Sequence, residues 1–92
     1  MKYRVRATTA YSRDFKKALK RHLDITKLQK IVSLLANGEP LPPANRDHQL
    51  SGDWANHREC HIAPDWLLIY QIRNDMLILE LTRMGSHADL FR

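Results

Sequence analysis

Three prolines within four positions, Pro40, Pro42 and Pro43, divide this 92-residue chain into two unlike halves. Proline lacks the backbone N–H that helices and paired strands use, so residues 39–47 are predicted to form a connecting loop. Apolar residues recur mainly at helical spacing before this loop, whereas after it they alternate or run together as strands require. The length suits one hydrophobic core and is too short for two. We therefore predict a single α+β domain over residues 1–92.

One strand and one basic helix are predicted to open the chain. Residues 2–7 alternate Lys or Arg with apolar side chains, the period of two that indicates a strand with one buried face. A helix is then predicted from Thr9 or Ser12, since both residue types are good N-terminal caps. Its apolar stripe comprises Phe15, Ala18, Leu19 and His22. Its other side is basic and comprises Lys16, Lys17, Lys20 and Arg21.

A second helix is predicted to begin after Asp24 or Thr26, either of which can cap it. Its apolar residues at helical spacing are Leu28, Ile31, Val32 and Leu35. It should end at Asn37-Gly38, because these residue types tolerate the left-handed conformation that terminates helices. Two adjacent helices are therefore expected before the proline-rich loop.

Three strands joined by hairpins are predicted after the loop. Residues 57–62 alternate in strand fashion, and Pro64-Asp65 then forms a turn before the apolar run of residues 66–72. Asn74-Asp75 is predicted to close a tight hairpin into a strand over residues 76–83, and a helical turn follows over residues 87–91. This order indicates a mostly antiparallel sheet with the helices on one face. Its other face should stay open and could hold a substrate.

The composition indicates a cytoplasmic protein that does not enter membranes. Cys60 is the single cysteine, which excludes an intramolecular disulfide, and no secretion signal follows Met1. The longest apolar runs fall far short of the roughly 20 residues that a membrane-spanning helix needs. Because its strand phase opposes that of Glu59 and His61, Cys60 is interpreted as a small buried hydrophobe and not as a nucleophile.

The positive charge of the chain is concentrated near its N-terminus. Residues 1–30 hold ten of the fifteen Lys and Arg and two of the ten Asp and Glu, although the whole chain carries only +5. Such a surface attracts polyanions, so RNA, DNA or an acidic protein are plausible partners. Lys16, Lys17 and Lys20 are accordingly predicted to contact the substrate. A solvated helix surface explains the same charges equally well.

Histidines that could carry acid-base chemistry are clustered in the second half. They are His48, His57, His61 and His87, interspersed with Asp65 and Arg83. Histidine exchanges protons near neutral pH. Cleaving RNA through its own 2′-hydroxyl requires a base, an acid and a cationic group for the phosphorane. His57 and His22 rank lower, as packing or surface residues. No HxH, HExxH or CxxC pair is present, so a metal site is not predicted.

Three blocks of sequence carry a resemblance to a known family. They run from His48 to Trp54, from Arg58 to Tyr70 and from Arg83 to Phe91, and contain the patterns HxLxG, HxxPDWxLIY and GSHxxLF. In this order they resemble the YafQ branch of the RelE/ParE toxin superfamily, and the similarity extends over nearly the whole chain.

The resemblance implies a RelE-like fold and a ribosome-dependent mRNA endonuclease that needs no cofactor. It also implies a cognate antitoxin that wraps the toxin in a hetero-oligomer and silences it. Position by position, the resemblance implies catalytic roles for His48, His61, Asp65 and His87. It implies supporting roles for Arg83 and Phe91, and it puts Trp66 beside the site.

The mechanism suggested by these matches divides the site between an acid and a base. His87 is hypothesised to be the general acid, while Asp65 with His61 or His48 takes the 2′-hydroxyl proton. Arg83 would stabilise the phosphorane, and Phe91 would stack on or position a base. The alternative is a binding module like the ParE relatives, which share the fold and inhibit DNA gyrase without cutting RNA. A metal-dependent nuclease is a third possibility.

Overall fold

The computed structural model describes residues 1–91. Its main elements are β1 (Arg4–Ala7), α1 (Thr9–Lys20), α2 (Ile25–Ala36), β2 (His48–Gln49), β3 (Arg58–Ala63), β4 (Trp66–Arg73), β5 (Ile78–Gly85) and α3 (His87–Leu90). Short 3-10 turns at Pro43–Asn45 and Gly52–Trp54 interrupt the long connection between α2 and β3. The predicted strand, two helices, three hairpin-linked strands and terminal helical turn are all present, and the two-residue strand β2 is an addition that was not predicted.

The strands form one five-stranded sheet in the order β1-β5-β4-β3-β2. β1 runs parallel to β5, and the other neighbouring pairs are antiparallel. The parallel pair exists because two helices connect β1 to the rest of the chain, whereas short turns connect β3, β4 and β5. The predicted α+β fold with a mostly antiparallel sheet is therefore confirmed.

Both long helices pack on one face of the sheet. α2 contributes Leu28, Ile31 and Leu35 to this packing. The Asp24 side chain caps the helix, as predicted, by accepting a hydrogen bond from the backbone N–H of Thr26. The apolar cluster that they cover comprises mainly Cys60, Ile62, Trp66, Leu68, Tyr70, Leu79, Leu81 and Met84. Burial raises the pKa of the Cys60 thiol to about 12, so its interpretation as a buried hydrophobe is confirmed.

Alternate residues of the same strands point to the opposite face. Glu59 pairs with Ile69 and Ile69 with Arg83, while His61 pairs with Leu67 and Leu67 with Gly85. Residues paired across a ladder share a face of the sheet. Neither α1 nor α2 packs on this face, and it carries the ionisable residues.

Three local predictions were wrong, two about side-chain direction and one about where β5 begins. In α1 the buried residues are Tyr11 and Ala18, whereas Leu19 is 50% exposed and His22 lies in an exposed left-handed turn after the helix. In β1, Val5 is 40% exposed because this strand forms an edge of the sheet. The hairpin before β5 takes its left-handed residue from Leu77 and not from Asn74-Asp75, so β5 begins later than predicted.

No helix in the described part of the chain is both long and apolar enough to cross a membrane.

Candidate functional site

Five ionisable side chains from four segments meet on the open face of the sheet. His48 lies on β2, Glu59 and His61 on β3, Asp65 in the turn that follows β3, and His87 at the start of α3. The pairing register of the strands brings them together. His48 pairs with Glu59, and Gly85, which ends β5 just before His87, lies in line with His61 across the sheet. The sheet therefore assembles residues that are far apart in the sequence.

The carboxylate of Glu59 lies between two imidazoles. Its Oε1 is 3.6 Å from Nε2 of His48 and 3.7 Å from Nε2 of His61. Glu59 is only 5% exposed. A buried carboxylate is costly unless a positive group compensates its charge, and a protonated imidazole would do so. Glu59 is thus placed to stabilise a proton taken up by either histidine.

Asp65 holds His87 through two hydrogen bonds. Its Oδ1 accepts from the backbone N–H of His87 at 3.0 Å and from Nδ1 of the imidazole at 2.8 Å. Because a carboxylate only accepts, Nδ1 carries a hydrogen and Nε2 remains free to exchange a proton. These bonds hold the pKa of Asp65 below its ordinary value, with the backbone bond as the largest cause. A carboxylate of lowered pKa is a weak base, which favours an orienting role for Asp65.

His48 is oriented in a similar way from the other side. Its Nδ1 donates to the backbone carbonyl of Arg46 at 2.7 Å, since that oxygen can only accept. Nε2 therefore faces Glu59 as the nitrogen that gains or loses the proton. The residue supplying the carbonyl, Arg46, has a φ of 47°, a left-handed conformation that is unusual outside glycine.

The preceding loop is fixed to the sheet by a partly buried polar contact. Asp47 Oδ1 accepts from the Tyr70 hydroxyl on β4 and from Nε of Arg58 on β3. Burial raises the pKa of Tyr70 above its ordinary value, and the bond to Asp47 adds to this. Since Asp47 immediately precedes His48, this contact restricts where the His48 ring can lie.

His61 and His87 approach each other at the centre of the cluster. Their rings lie 5.8 Å apart between centroids, and the Phe91 ring lies 6.4 Å from that of His87. Glu59, His61 and His87 each offer one possible metal-ligand atom, and these three atoms lie within 4.8 Å of one another. They are close enough together to hold a metal ion. Sequence spacing did not indicate this group because its members come from β3 and α3. The absence of a metal stays a prediction.

Arg83 faces the open side because of a β-bulge. Ile69 pairs with Arg83 and Tyr70 with Leu81, which leaves Thr82 as the extra residue. Leu81 can therefore enter the core while Arg83 shares a face with Glu59. The Arg83 guanidinium donates to both carboxylate oxygens of Asp14 on α1, at 2.7 and 3.2 Å. Asp14 thus orients Arg83, and the predicted contact with a phosphorane requires its remaining N–H groups.

The predicted substrate-binding residues are distributed over different surfaces. Phe91 is 38% exposed next to His87, whereas Trp66 is 4% exposed and packs in the core beneath the helices. Trp66 is therefore a core residue, and any effect of it on RNA would be indirect. Lys17 lies 3.5 Å from Asp89 of α3. Lys16 and Lys20 are exposed on α1, and no hydrogen bond links them to the cluster.

A cationic cavity adjoins the cluster on the side of His61. It has a volume of about 400 Å³, and its lining includes Lys27 of α2, Arg46 and His61. Within residues 1–91, neither Lys27 nor Arg46 forms an ion pair at salt-bridge distance. Two cations beside a catalytic candidate provide a track suited to a phosphate backbone.

The remaining histidines lie outside the cluster. His57 packs against Trp54, with 5.6 Å between ring centroids, and its Nδ1 contacts the carbonyl of Ala55. His22 is exposed after α1. Their lower rank is consistent with these positions.

Sequence reasoning missed Glu59 as a member of the site. The available signal was its position two residues before His61 on a predicted strand, which puts both side chains on one face. Glu59 was considered only as a neighbour of Cys60, whose side chain points to the opposite face of the strand.

Comparison with known proteins assigns the chain to a family. The model for the bacterial toxin of type II toxin-antitoxin systems, YafQ, matches residues 3–92. This chain belongs to the YafQ family. The mRNA interferase toxin YafQ of Escherichia coli K12 is 46% identical to this YafQ-family chain over 82 residues, which cover 88% of this chain and 87% of that relative.

Solved structures agree with this assignment. The E. coli DinJ-YafQ toxin-antitoxin complex contains a chain that is 40% identical to this YafQ-family chain, with a TM-score of 0.89 and full coverage of both chains. A metal-bound toxin from Helicobacter pylori is 40% identical with a TM-score of 0.92, covering 99% of this chain and 100% of that one. The resemblance to YafQ seen in the sequence is therefore confirmed.

Proposed function

We propose that this chain is an endoribonuclease toxin that cuts messenger RNA on the ribosome through the RNA's own 2′-hydroxyl group. Its family membership and the mRNA interferase activity named for its relatives support the proposal. The single observation that carries the chemistry is the Asp65–His87 pair, because it leaves Nε2 of His87 free in an exposed site. A positioned imidazole of this kind suits proton transfer near neutral pH.

In the proposed reaction, a base on the open face removes the proton of the 2′-hydroxyl. The 2′-oxygen then forms a bond to the adjacent phosphorus while the bond from phosphorus to the 5′-oxygen breaks. The proton on Nε2 of His87 passes to that leaving oxygen. The products are a 2′,3′-cyclic phosphate and a 5′-hydroxyl end, so the base and the acid together account for both protons.

The base is assigned to His48 or His61, with Glu59 as the group that stabilises the resulting imidazolium. Both Nε2 atoms approach the Glu59 carboxylate, at 3.6 and 3.7 Å. Asp65 is less suited to this role than the sequence suggested, since its two bonds to His87 lower its pKa. Asp65 then acts by orienting the acid.

The RNA is proposed to lie across the cluster toward the cationic cavity. Lys27 and Arg46 would bind phosphates beside His61, and the exposed Phe91 ring would stack on an unpaired base. Arg83, held by Asp14, would direct its remaining N–H groups at the phosphorane. No step in this scheme uses a metal, so cleavage is expected to persist in excess EDTA.

A cognate antitoxin is the proposed protein partner. The relative in the DinJ-YafQ complex is bound to its antitoxin, which supports a hetero-oligomer for this chain as well. The basic surface of α1 and α2 suits an acidic antitoxin segment, and charge complementarity of this kind speeds association. The cytoplasm, where ribosomes and messages are found, is the proposed location.

The experiment is to map new 5′ ends on a message translated by purified ribosomes, with the wild-type chain and His87→Gln. Cleavage is expected to require translation and to be lost in His87→Gln, because glutamine cannot supply the proton. His57→Gln is the matched control, since His57 lies outside the cluster, and it should cleave normally. Equal cleavage by both variants would contradict the role of His87.

The same proteins separate the proposal from its alternative. A chain that acted like the ParE relatives would inhibit supercoiling by DNA gyrase and leave the message intact. The convergence of three histidines on one face favours cleavage, because a binding surface does not need it. Inhibition of gyrase without RNA cleavage would overturn the proposed function.

A further inference from the structure

We propose that Asp89, bound by Lys17 of α1 and by Arg21 directly after that helix, is a positioning residue that holds α3 in place and thereby sets the location of His87. This inference rests on the proposed function, since it concerns how the acid of that reaction is placed. Asp89 lies two residues after His87 on α3, and its carboxylate bonds to Arg21, Lys17 and the backbone of Ser86. It acts through the helix and not on the RNA.

Hydrophobic packing alone does not hold α3. The helix has only four residues, His87–Leu90, and none of them is buried. A helix this short is unstable in water without external contacts. A pocket lined by residues of α1, β5 and α3 adjoins it, including Lys17, Met84 and Asp89. The position of α3 must therefore depend largely on polar contacts.

Asp89 first organises the start of α3. Its Oδ2 accepts from the backbone N–H of Ser86 at 3.0 Å, and its own backbone N–H donates to the Ser86 hydroxyl at 3.1 Å. This reciprocal capping box satisfies two N–H groups that would otherwise lack partners. Gly85 permits the close packing, because a Cβ there would lie 2.9 Å from Cβ of Asp89.

Asp89 also connects this helix to α1. Arg21 Nη1 lies 2.9 Å from Oδ2 of Asp89, and Lys17 Nζ lies 3.5 Å from its Oδ1. Arg21 caps the C-terminus of α1 and lies four residues after Lys17, so both side chains reach Asp89 from the same side. The Arg21 bond holds the pKa of Asp89 well below its ordinary value, which shows that the ionised form is strongly favoured. One carboxylate therefore caps α3 and ties it to the main body of the protein.

Two sets of contacts then fix the position of the His87 imidazole. Asp65 holds both the ring, through Nδ1, and the backbone N–H of His87, and the Asp89 contacts hold the rest of α3. Asp65 is exposed in a turn, and the Asp89 contacts give α3 a second attachment, to Arg21 and Lys17. Displacement of a catalytic group by about 1 Å costs roughly 100-fold in rate. Loss of the contacts to α1 should thus affect the chemical step.

The test measures steady-state cleavage of a message on ribosomes by Asp89→Ala, Arg21→Glu and Arg21→Lys. The first two should lower kcat about 10- to 100-fold with little change in KM. Arg21→Lys should restore most of the rate, because the charge is kept. Arg13→Ala is the matched control, since Arg13 is exposed on the same helix and forms no ion pair in the described structure, and it should behave as wild type.

A second measurement follows α3 without cleavage. The Leu90 and Phe91 amides donate to the carbonyls of Ser86 and His87, so their hydrogen exchange reports whether this turn is formed. Exchange should be faster in Asp89→Ala and Arg21→Glu and unchanged in Arg13→Ala. If no protein cleaves RNA while exchange still accelerates, the proposed function fails and the tie between α1 and α3 stands.

Three results would overturn the inference. Wild-type kcat in both Asp89→Ala and Arg21→Glu would show that the contacts do not place His87. A rise in KM without a fall in kcat would make Arg21 an RNA contact. A loss of rate in Arg13→Ala as well as in Arg21→Glu would reduce the effect to the positive charge of this region.

Discussion

The two faces of the sheet are built from alternate residues of the same strands, and they serve different purposes. On β3, Cys60 enters the core under the helices, whereas Glu59 and His61 face the open side. The covered face is almost wholly apolar, and the open face gathers imidazoles and carboxylates around a few buried aliphatic side chains. A strand's period of two thus lets neighbouring residues separate stability from chemistry.

This difference teaches where substitutions should act. A change on the covered face should lower the free energy of unfolding and leave the folded protein active. A change on the open face should lower the rate and leave the folded state largely intact. Residues one position apart can therefore give opposite results, and the predictions below test that separation.

The largest effect is expected for His61→Gln on the open face. Loss of a positioned proton-transfer group typically costs 10² to 10⁴-fold in rate, and we expect kcat to fall by about that amount. The unfolding free energy should change by less than about 1 kcal/mol, because no core contact is removed. Cleavage rates and urea denaturation of the same preparation would measure both. A stability loss that accounts for the lower rate would break the comparison.

The reverse pattern is expected for Leu68→Ala on the covered face. Leu68 is fully buried, and replacing such a leucine by alanine destabilises proteins by about 2–5 kcal/mol. The fraction that stays folded should cleave at the wild-type rate per molecule. Urea denaturation gives the stability, and rates normalised to folded protein give the activity. A folded but inactive Leu68→Ala variant would contradict the separation of the two faces.

A smaller effect is expected for Glu59→Gln, which removes the charge between the two histidines while keeping the size of the side chain. Stabilisation of the imidazolium would be lost, and we expect kcat to fall about tenfold, equivalent to roughly 1.4 kcal/mol. Stability should be unchanged or slightly higher, since a buried carboxylate becomes neutral. Unchanged kcat would show that Glu59 has no part in proton transfer.

The smallest effect is the pH dependence of the Asp65–His87 contact. The pKa of Asp65 is lowered in the folded protein, so its contribution to stability is fully present above about 3.9, the ordinary value for Asp, and is lost as the pH falls through the folded pKa. Carbon NMR should show Asp65 titrating below that value. In His87→Gln the pKa should rise only partway, because the backbone N–H bond remains.

The order of helices and strands was predictable because each of them follows from a local sequence pattern. The prolines at 40–43 separated the helices from the strands, and Asn37-Gly38 ended α2 as expected. The side-chain directions that failed depend on tertiary position. Val5 is half exposed because β1 is an edge strand, and Leu19 points outward because α1 packs through Tyr11 and Ala18.

Most residues of the candidate site were predictable from the sequence, whereas their arrangement in space was not. Histidines and Asp65 were identifiable by residue type and by family resemblance. The hydrogen bond that Arg83 donates to Asp14 spans 69 residues, and no local sequence pattern indicates the bulge at Thr82 that turns Arg83 outward. Glu59 needed the β2–β3 register to bring it beside His48. These features arise from pairing between distant segments, which a single sequence does not specify.

The identity of the RNA ends tests the central claim most directly. The mapped cleavage site would be synthesised with a ribonucleotide or with a single 2′-deoxynucleotide, and each message would be translated with the wild-type chain. We predict a 2′,3′-cyclic phosphate and a 5′-hydroxyl from the first message and no cleavage of the second. Products with a 5′-phosphate, or equal cleavage of the deoxy-substituted message, would contradict acid-base catalysis through the 2′-hydroxyl.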